Sequence, residues 1–176
     1  MKFFKLIPLS LLLCTTLSCT SSENEIVLSE NDSSSNYKVL STENDKLSIT
    51  SISNFLAEGD QYINEGDFDK AKDSYDKARN LAKQISNFYR DLSGSFRGLD
   101  ARIPREMDDK GRKSLKMWAE ANSRLAALYI RKNQSEVAVP LLVEIVRLMT
   151  PASPEGKAAY NELLELGFVE TPFRGS

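Results

Sequence analysis

Apolar and aromatic side chains recur at alternating intervals of three and four residues throughout residues 68–96. The series consists of Phe68, Ala71, Tyr75, Ala78, Ala82, Ile85, Tyr89, Leu92 and Phe96. Such spacing places all of these side chains on a single face of an α-helix, which only Gly94 weakens near its end. A helix of this length measures about 43 Å. Its apolar face therefore needs a partner of similar length.

The segment that follows, residues 104–132, supplies such a partner, because it has the same length and an apolar side of its own. That side carries Met107, Gly111, Leu115, Trp118, Asn122, Leu125 and Tyr129. Two helices of equal length, joined by the short sequence RGLDARI at residues 97–103, predict one long antiparallel hairpin. Its lower half would be shared with the rest of the domain, and its upper half would project.

Helical spacing of apolar residues continues on both sides of this hairpin. Asp67 can cap the first helix of the hairpin, Ser135 and Ser153 can cap the starts of two further helices, and Gly167 can end the last one. Pro140 is expected to bend the helix that contains it or to delay its start. The sequence therefore predicts an all-α fold.

The sequence EGDQYINEGDFDKAKDSYDKARNLA, residues 58–82, carries small and aromatic residues at regular intervals. Residues 52–85 resemble the tetratricopeptide repeat, whose small, aromatic and alanine positions are matched in order by Gly59, Tyr62, Gly66, Phe68, Ala71, Tyr75 and Ala78. Small side chains at Gly59 and Ala71 would let two antiparallel helices approach closely, and the aromatic residues would fill the space around that contact. Phe55 and Lys83 depart from the tryptophan and the proline of the family.

A second and weaker copy of the repeat spans residues 119–152. Its matching positions are Leu125, Ala126, Tyr129 and Ala138, with Pro151 near the terminal proline. Residues 154–166 then resemble the extra helix that closes such arrays. The resemblance implies tetratricopeptide-like antiparallel hairpins, to which the long hairpin is central, and a C-terminal capping helix. An ordinary helical bundle, which uses the same residue types, is the alternative.

The N-terminus has the features of an export signal. Two lysines precede an apolar stretch from Leu6 to Leu13, which is shorter than the roughly 20 residues that a membrane-spanning helix needs. The segment resembles a bacterial lipoprotein signal, which implies cleavage after residue 18, acylation of Cys19 with a fatty acid such as palmitate, and a membrane anchor in the cell envelope. Thr16 and Leu17 depart from that pattern. A secreted chain without an acyl group is therefore the alternative.

The chain after the leader divides by composition. Residues 19–50 are polar and lack periodicity, which predicts a disordered acidic tether; within it, residues 20–50 carry a net charge of −4. Residues 51–176 hold 19 acidic and 19 basic side chains, and a neutral folded part gives no support for nucleic-acid binding. The predicted organisation is a signal peptide at 1–18, the tether at 19–50, a helical domain at 51–170 and a C-terminal tail at 171–176.

Two residue types that often carry catalysis, histidine and cysteine, are missing or nearly so. The chain has no histidine, and at most one cysteine remains after cleavage of the leader. The fragment GSFRG at residues 94–98 lacks the spacing of a nucleophile elbow, and EGDFDK at residues 65–70 lacks the downstream glutamate of a calcium loop. We therefore expect a protein that is not an enzyme and uses no cofactor, metal or small-molecule substrate.

Protein binding is the remaining use of a helical-repeat surface. In the family that this chain resembles, ligand contacts come from the inner helix face, which maps in the first copy onto Ser53, Leu56, Asp60, Ile63 and Asn64. In the second copy the same face maps onto Glu120, Ser123, Ala127, Ile130 and Arg131. The lysine and asparagine with which some members clamp a C-terminal carboxylate are absent. A groove for a helix or loop of another protein is therefore expected.

The tip of the long hairpin is a second candidate surface. Residues 88–118 hold eight basic and five acidic side chains, an excess of three positive charges within a neutral domain. Arg97, Arg102 and Arg105 surround the short turn and repel one another unless an acidic group is nearby. They are candidates for binding an acidic partner. The alternative function is a structural lipoprotein whose basic tip contacts anionic membrane lipids.

The leader, together with FYRDLSGSFRGLDARIPREMD at residues 88–108, resembles small helical lipoproteins of photosynthetic bacteria whose role is unassigned. That resemblance implies a photosynthetic membrane as the setting. The sequence thus predicts a membrane-tethered, non-catalytic adaptor or assembly factor that binds other proteins through a helical-repeat surface.

Overall fold

The computed structural model describes residues 47–175, in which every regular secondary-structure element is an α-helix. The helices are α1 (Ile49–Glu65), α2 (Phe68–Phe96), α3 (Arg102–Arg131), α4 (Ser135–Met149) and α5 (Pro154–Glu165). The all-α prediction is therefore confirmed for this range. The predicted signal peptide, Cys19 and most of the predicted tether lie outside the described residues.

Side-chain caps determine where several helices begin. The hydroxyl oxygen of Ser48 accepts a hydrogen bond from the backbone N–H of Ser51 at 3.0 Å, so that α1 starts at Ile49. Helix α1 therefore includes the last two residues of the segment predicted as the tether. Asp67 and Ser153 cap α2 and α5 in the same way, as the sequence predicts.

The start of α4 differs from the prediction. The helix begins at Ser135 itself, and the preceding Gln134 makes no side-chain cap. It then continues through Pro140 to its end, so the expected delay is wrong. Because proline has no N–H, Pro140 cannot donate to the carbonyl of Glu136, four residues earlier. Both residues are exposed, and water can replace a hydrogen bond lost at the surface.

The two longest helices, α2 and α3, run antiparallel along their whole length. Ser93 donates to Asp108 at 2.6 Å near the turn, Arg79 donates to Asn122 at 2.7 Å, and Lys132 reaches Asp69 at 3.2 Å at the far end. The residue numbers of the two partners add up to 201 in each pair, which is the signature of antiparallel helices in constant register. The α2 span agrees with its prediction, and α3 begins two residues before the predicted start.

Helix α3 lies between two apolar clusters. One face packs against α1 and α2, where Ile52, Tyr75 and Leu125 are buried. Its other face packs against α4, which packs in turn against α5, and in this second cluster Ala126, Ala138, Leu142 and Ala159 are buried. The half-buried Tyr129 contacts both clusters. Helix α3 therefore contributes side chains to both clusters, and its position determines the position of any site on the side of α4 and α5.

The upper part of the α2–α3 hairpin stands by itself. Every described side-chain hydrogen bond and ion pair of residues 97–115 joins them to one another or to α2. The first ion pair that links α3 to α5 is made by Lys116. The hairpin therefore projects beyond the part of the domain in which the helices pack as layers.

Candidate protein-binding groove

A groove with a volume of about 420 Å³ lies between α3, α4 and α5. Its floor is apolar and consists largely of buried side chains: Ala119, Ala126, Leu142, Ile145 and Ala159. The alanines explain why a groove forms where the helices meet, since their side chains end at Cβ and leave the space above them unfilled. An apolar floor of this kind can receive apolar side chains from a partner.

Charged residues line the edge of the groove. The Nζ atom of Lys116 on α3 lies 2.8 Å from Oε1 of Glu155 on α5 and links the two helices. The hydrogen bond between them raises the pKa of Lys116 and lowers the pKa of Glu155. Glu120 accepts a hydrogen bond from Arg124 at 2.8 Å, whereas Glu162 has no ion-pair partner within residues 47–175. The lining residues hold three carboxylates and one ammonium group, a net charge of −2, and Arg124 offsets part of the charge of Glu120.

Four of the residues that the resemblance assigns to the inner face of the second copy line this groove: Glu120, Ser123, Ala127 and Ile130. The fifth, Arg131, lies elsewhere, with its guanidinium carbon 5.9 Å from the centroid of the Phe68 ring. The structure therefore brings one predicted face together as a concave surface.

The residues expected on the inner face of the first copy do not line this groove. Leu56 is only 4% exposed and belongs to the core between α1, α2 and α3, so its assignment as a partner-binding residue is corrected. Ile63 is half-buried and packs against the same core. Asn64 is exposed on α1. The helical spacing of Leu56 allows either a core position or a position on the inner face, and the packing of α1 against α2 places it in the core.

Asp60, also expected to bind a partner, is engaged inside the domain. Its Oδ1 atom accepts hydrogen bonds from the Tyr75 hydroxyl at 2.6 Å and from Arg124 Nε at 2.9 Å, and its Oδ2 accepts from Arg124 Nη2 at 3.1 Å. Burial alone would raise the pKa of Asp60, but the hydrogen bonds from Arg124 and Tyr75 outweigh it and lower the pKa. Asp60 therefore links α1 to α2 and α3.

The residues expected to pack the repeats differ in how deeply they are buried. Five of them are buried in the two clusters, namely Ala71, Tyr75, Ala78, Ala126 and Ala138. Gly59 is buried against the ring of Tyr75, and Gly66 ends α1 with a φ of 79°. The half-buried side chains are Tyr62, Phe68 and Tyr129, which pack against the first cluster.

Sequence reasoning missed a second polar link that joins three helices. Arg79 on α2 donates to Asn122 at 2.7 Å and to Glu144 on α4 at 2.6 Å, and Asn122 donates to Glu144 at 2.8 Å. Burial would raise the pKa of Glu144, but the hydrogen bonds from Arg79 and Asn122 outweigh it and lower the pKa. The available signal was Asn122 itself, a polar residue on the apolar side of α3.

The stability of the domain should depend on pH below about pH 5 because of Asp60 and Glu144. Their folded-state pKa values lie below the ordinary values of 3.8 and 4.5. The unfolded state therefore binds more protons as pH falls, and the stabilisation present above these ordinary values is lost as pH passes through the folded-state values. Urea unfolding midpoints should stay nearly constant from pH 7 to about pH 5 and then fall. The double variant Asp60→Asn, Glu144→Gln should show a shallower fall, and an equally steep one would contradict this assignment.

The hairpin tip holds the three predicted arginines in different settings. Arg102 forms two side-chain hydrogen bonds with Asp100, at 2.8 and 3.2 Å, and these bonds lower the pKa of Asp100 to about 2. Arg97 and Arg105 are exposed and have no ion-pair partner in the part of the chain that the structure describes. Asp100 is therefore the expected acidic partner of one arginine, Arg102, whereas the charges of Arg97 and Arg105 are not paired within the described residues.

Comparisons with models of protein families, with curated proteins and with solved structures find no match to this chain. Among residues 47–175, no helix combines the length and the apolar composition needed to cross a bilayer.

Proposed function

We propose that this protein is a membrane-tethered, non-catalytic adaptor that binds a segment of another protein in the groove between α3, α4 and α5. One observation carries the proposal. The groove has an apolar floor and an acidic edge, and four of its residues are the ones that the resemblance assigns to the ligand-binding face of the second repeat copy.

The tetratricopeptide-like interpretation of the fold rests on packing details. Gly59, at a small position of the repeat, faces Tyr75 so closely that an added Cβ would lie 2.3 Å from the ring atom Cε1. Ala126 and Ala138, small positions of the second copy, are both buried where α3 meets α4. In this interpretation α5 is the capping helix, and its Glu155 and Glu162 complete the groove.

The chemistry of the groove favours an amphipathic helix with basic side chains as its occupant. Alanine-rich walls on α3 and α5 allow the backbone of a partner helix to approach closely, and the apolar floor can receive its apolar face. The carboxylate of Glu162 is available to a cation, and the net charge of the edge favours a positively charged partner. An acidic segment would be repelled by the same edge.

The membrane setting of the proposal comes from the sequence. Acylation of Cys19 would hold the domain at a membrane of the cell envelope through the acidic tether. The resemblance to lipoproteins of photosynthetic bacteria makes assembly of a photosynthetic membrane complex the first version of the adaptor to test.

A peptide titration tests the groove. The probe is a synthetic amphipathic helical peptide with leucines on one face and lysines on the other, and its binding is followed by amide chemical shifts. Ala127→Arg and Ala158→Arg change exposed groove residues to bulky cations with little change in helix propensity. Each should weaken binding at least about tenfold.

The matched control is Ala57→Arg, which makes the same change at an exposed position of α1 outside the groove. It should bind the peptide as the unchanged protein does, with shifts confined to α3, α4 and α5. Equal affinity of all three variants, or preference for a peptide that carries glutamates in place of the lysines, would refute the proposal.

A further inference from the structure

We propose that the tip of the α2–α3 hairpin docks on an anionic lipid bilayer, with Leu99 entering the apolar layer and Arg97 and Arg105 contacting lipid phosphates. This inference concerns a surface separate from the groove and does not depend on what the groove binds.

The first argument is an exposed apolar side chain at the apex. Leu99 is 80% exposed, the highest value among the exposed large apolar residues of the described chain. The turn that carries it is hydrogen-bonded, because Phe96 O accepts from Leu99 N at 3.1 Å and from Asp100 N at 3.3 Å. Gly98 has a φ of 86°, a conformation that glycine adopts without strain. A defined turn thus holds Leu99 away from the domain.

The second argument is the charge around this side chain. Arg97 immediately precedes the turn and Arg105 lies in the first turn of α3, and both are exposed. Asp100 is engaged by Arg102 through both of its carboxylate oxygens, so it offers little compensation to the other two arginines. An apolar apex beside uncompensated cations is complementary to a bilayer, in which an apolar layer lies beneath anionic headgroups.

The shape of the tip favours a bilayer over a folded protein as its partner. Leu99 is 80% exposed at the end of a two-helix stem, and lipids can rearrange around such a side chain, whereas a folded protein would need a pocket that matches it. The groove begins at Lys116, 14 residues along α3 from Arg102. At 1.5 Å per residue this separation is about 21 Å. Docking of the tip would therefore leave the groove open above the membrane.

Vesicle binding tests the inference directly. The chain from residue 19 onward, with Cys19→Ser so that no acyl group contributes, is mixed with vesicles of phosphatidylcholine alone or of phosphatidylcholine with phosphatidylglycerol. It should sediment with the anionic vesicles only, and less as salt is added. Because each basic residue near an anionic surface contributes about fivefold in affinity, Arg97→Glu with Arg105→Glu should weaken binding at least about 25-fold.

Two further variants separate this site from a general effect of charge. Lys157→Glu with Arg174→Glu changes the net charge equally at exposed residues away from the tip, and it should weaken binding far less. The fluorescence that Leu99→Trp adds to that of Trp118, taken as the difference from the unchanged protein, should shift to shorter wavelength on binding, as expected when an indole enters an apolar layer. The inference is overturned if anionic vesicles are not bound, if both double variants weaken binding equally, or if the Leu99→Trp emission does not move. Matching circular dichroism spectra would establish that every variant is folded.

Discussion

Asn122→Ala is expected to lower the free energy of unfolding by about 2–4 kcal/mol. The side chain of Asn122 is 0% exposed and joins Arg79 on α2 to Glu144 on α4. Its removal leaves the Nε of Arg79 without its acceptor, deprives Glu144 of one donor, and opens a cavity where three helices meet. The remaining bond between Arg79 and Glu144 keeps the loss below that of breaking the whole link.

Urea unfolding at neutral pH measures this effect, and Asn80→Ala is its matched control. Asn80 lies on α2 and is exposed, so its replacement brings the same change in helix propensity without touching the link. The control should change the free energy of unfolding by no more than about 0.5 kcal/mol. Equal losses in the two variants would mean that the three-helix link contributes nothing to stability.

Gly59→Ala is expected to destabilise the domain by about 1–3 kcal/mol, although alanine is the better helix former. An added Cβ would lie 2.3 Å from Cε1 of Tyr75. The ring cannot move aside freely, because it is buried and its hydroxyl donates to Asp60 at 2.6 Å. Either α1 moves away from α2 or the Tyr75–Asp60 bond is lost.

The same substitution elsewhere in the domain should have the opposite sign. Gly94 is an exposed residue of α2, and an added Cβ there would meet nothing within 4 Å. Gly94→Ala should therefore stabilise the domain by about 0.5–1 kcal/mol, through the lower conformational entropy of the unfolded chain. Thermal melts of the two variants give the comparison. A rise in melting temperature for Gly59→Ala would contradict the close approach of α1 and α2.

The sequence predicts the helices well because their signals are local. The periodic apolar series of α2 has the same ends as the helix itself, and the caps at Asp67 and Ser153 depend only on residues within one turn. The equal lengths of two neighbouring segments also indicate that α2 and α3 pair. Local signals fail at α4, where Pro140 is tolerated because it is exposed.

The candidate site is predicted only in part, because it depends on packing between distant segments. The spacing of Leu56 allows either a core position or an inner-face position, and only the contact with α2 and α3 shows that it is buried. The contribution of Glu155 and Glu162 depends on how α5 turns back toward α3, which no local pattern encodes. Similarly, the pairing of Arg102 with Asp100 depends on the conformation of the turn.

A photo-crosslinking residue at Ala127, incorporated in cells that make the protein natively, is the most direct test of the proposed adaptor. Ala127 is exposed and lines the groove, whereas Ala57, the control position, is exposed on α1 outside it. We predict one discrete protein adduct from Ala127, formed with an amphipathic, basic segment, absent from Ala57 and lost when Ala158→Arg is added. No adduct at Ala127, the same adduct from both positions, or a link to an acidic segment would contradict the account.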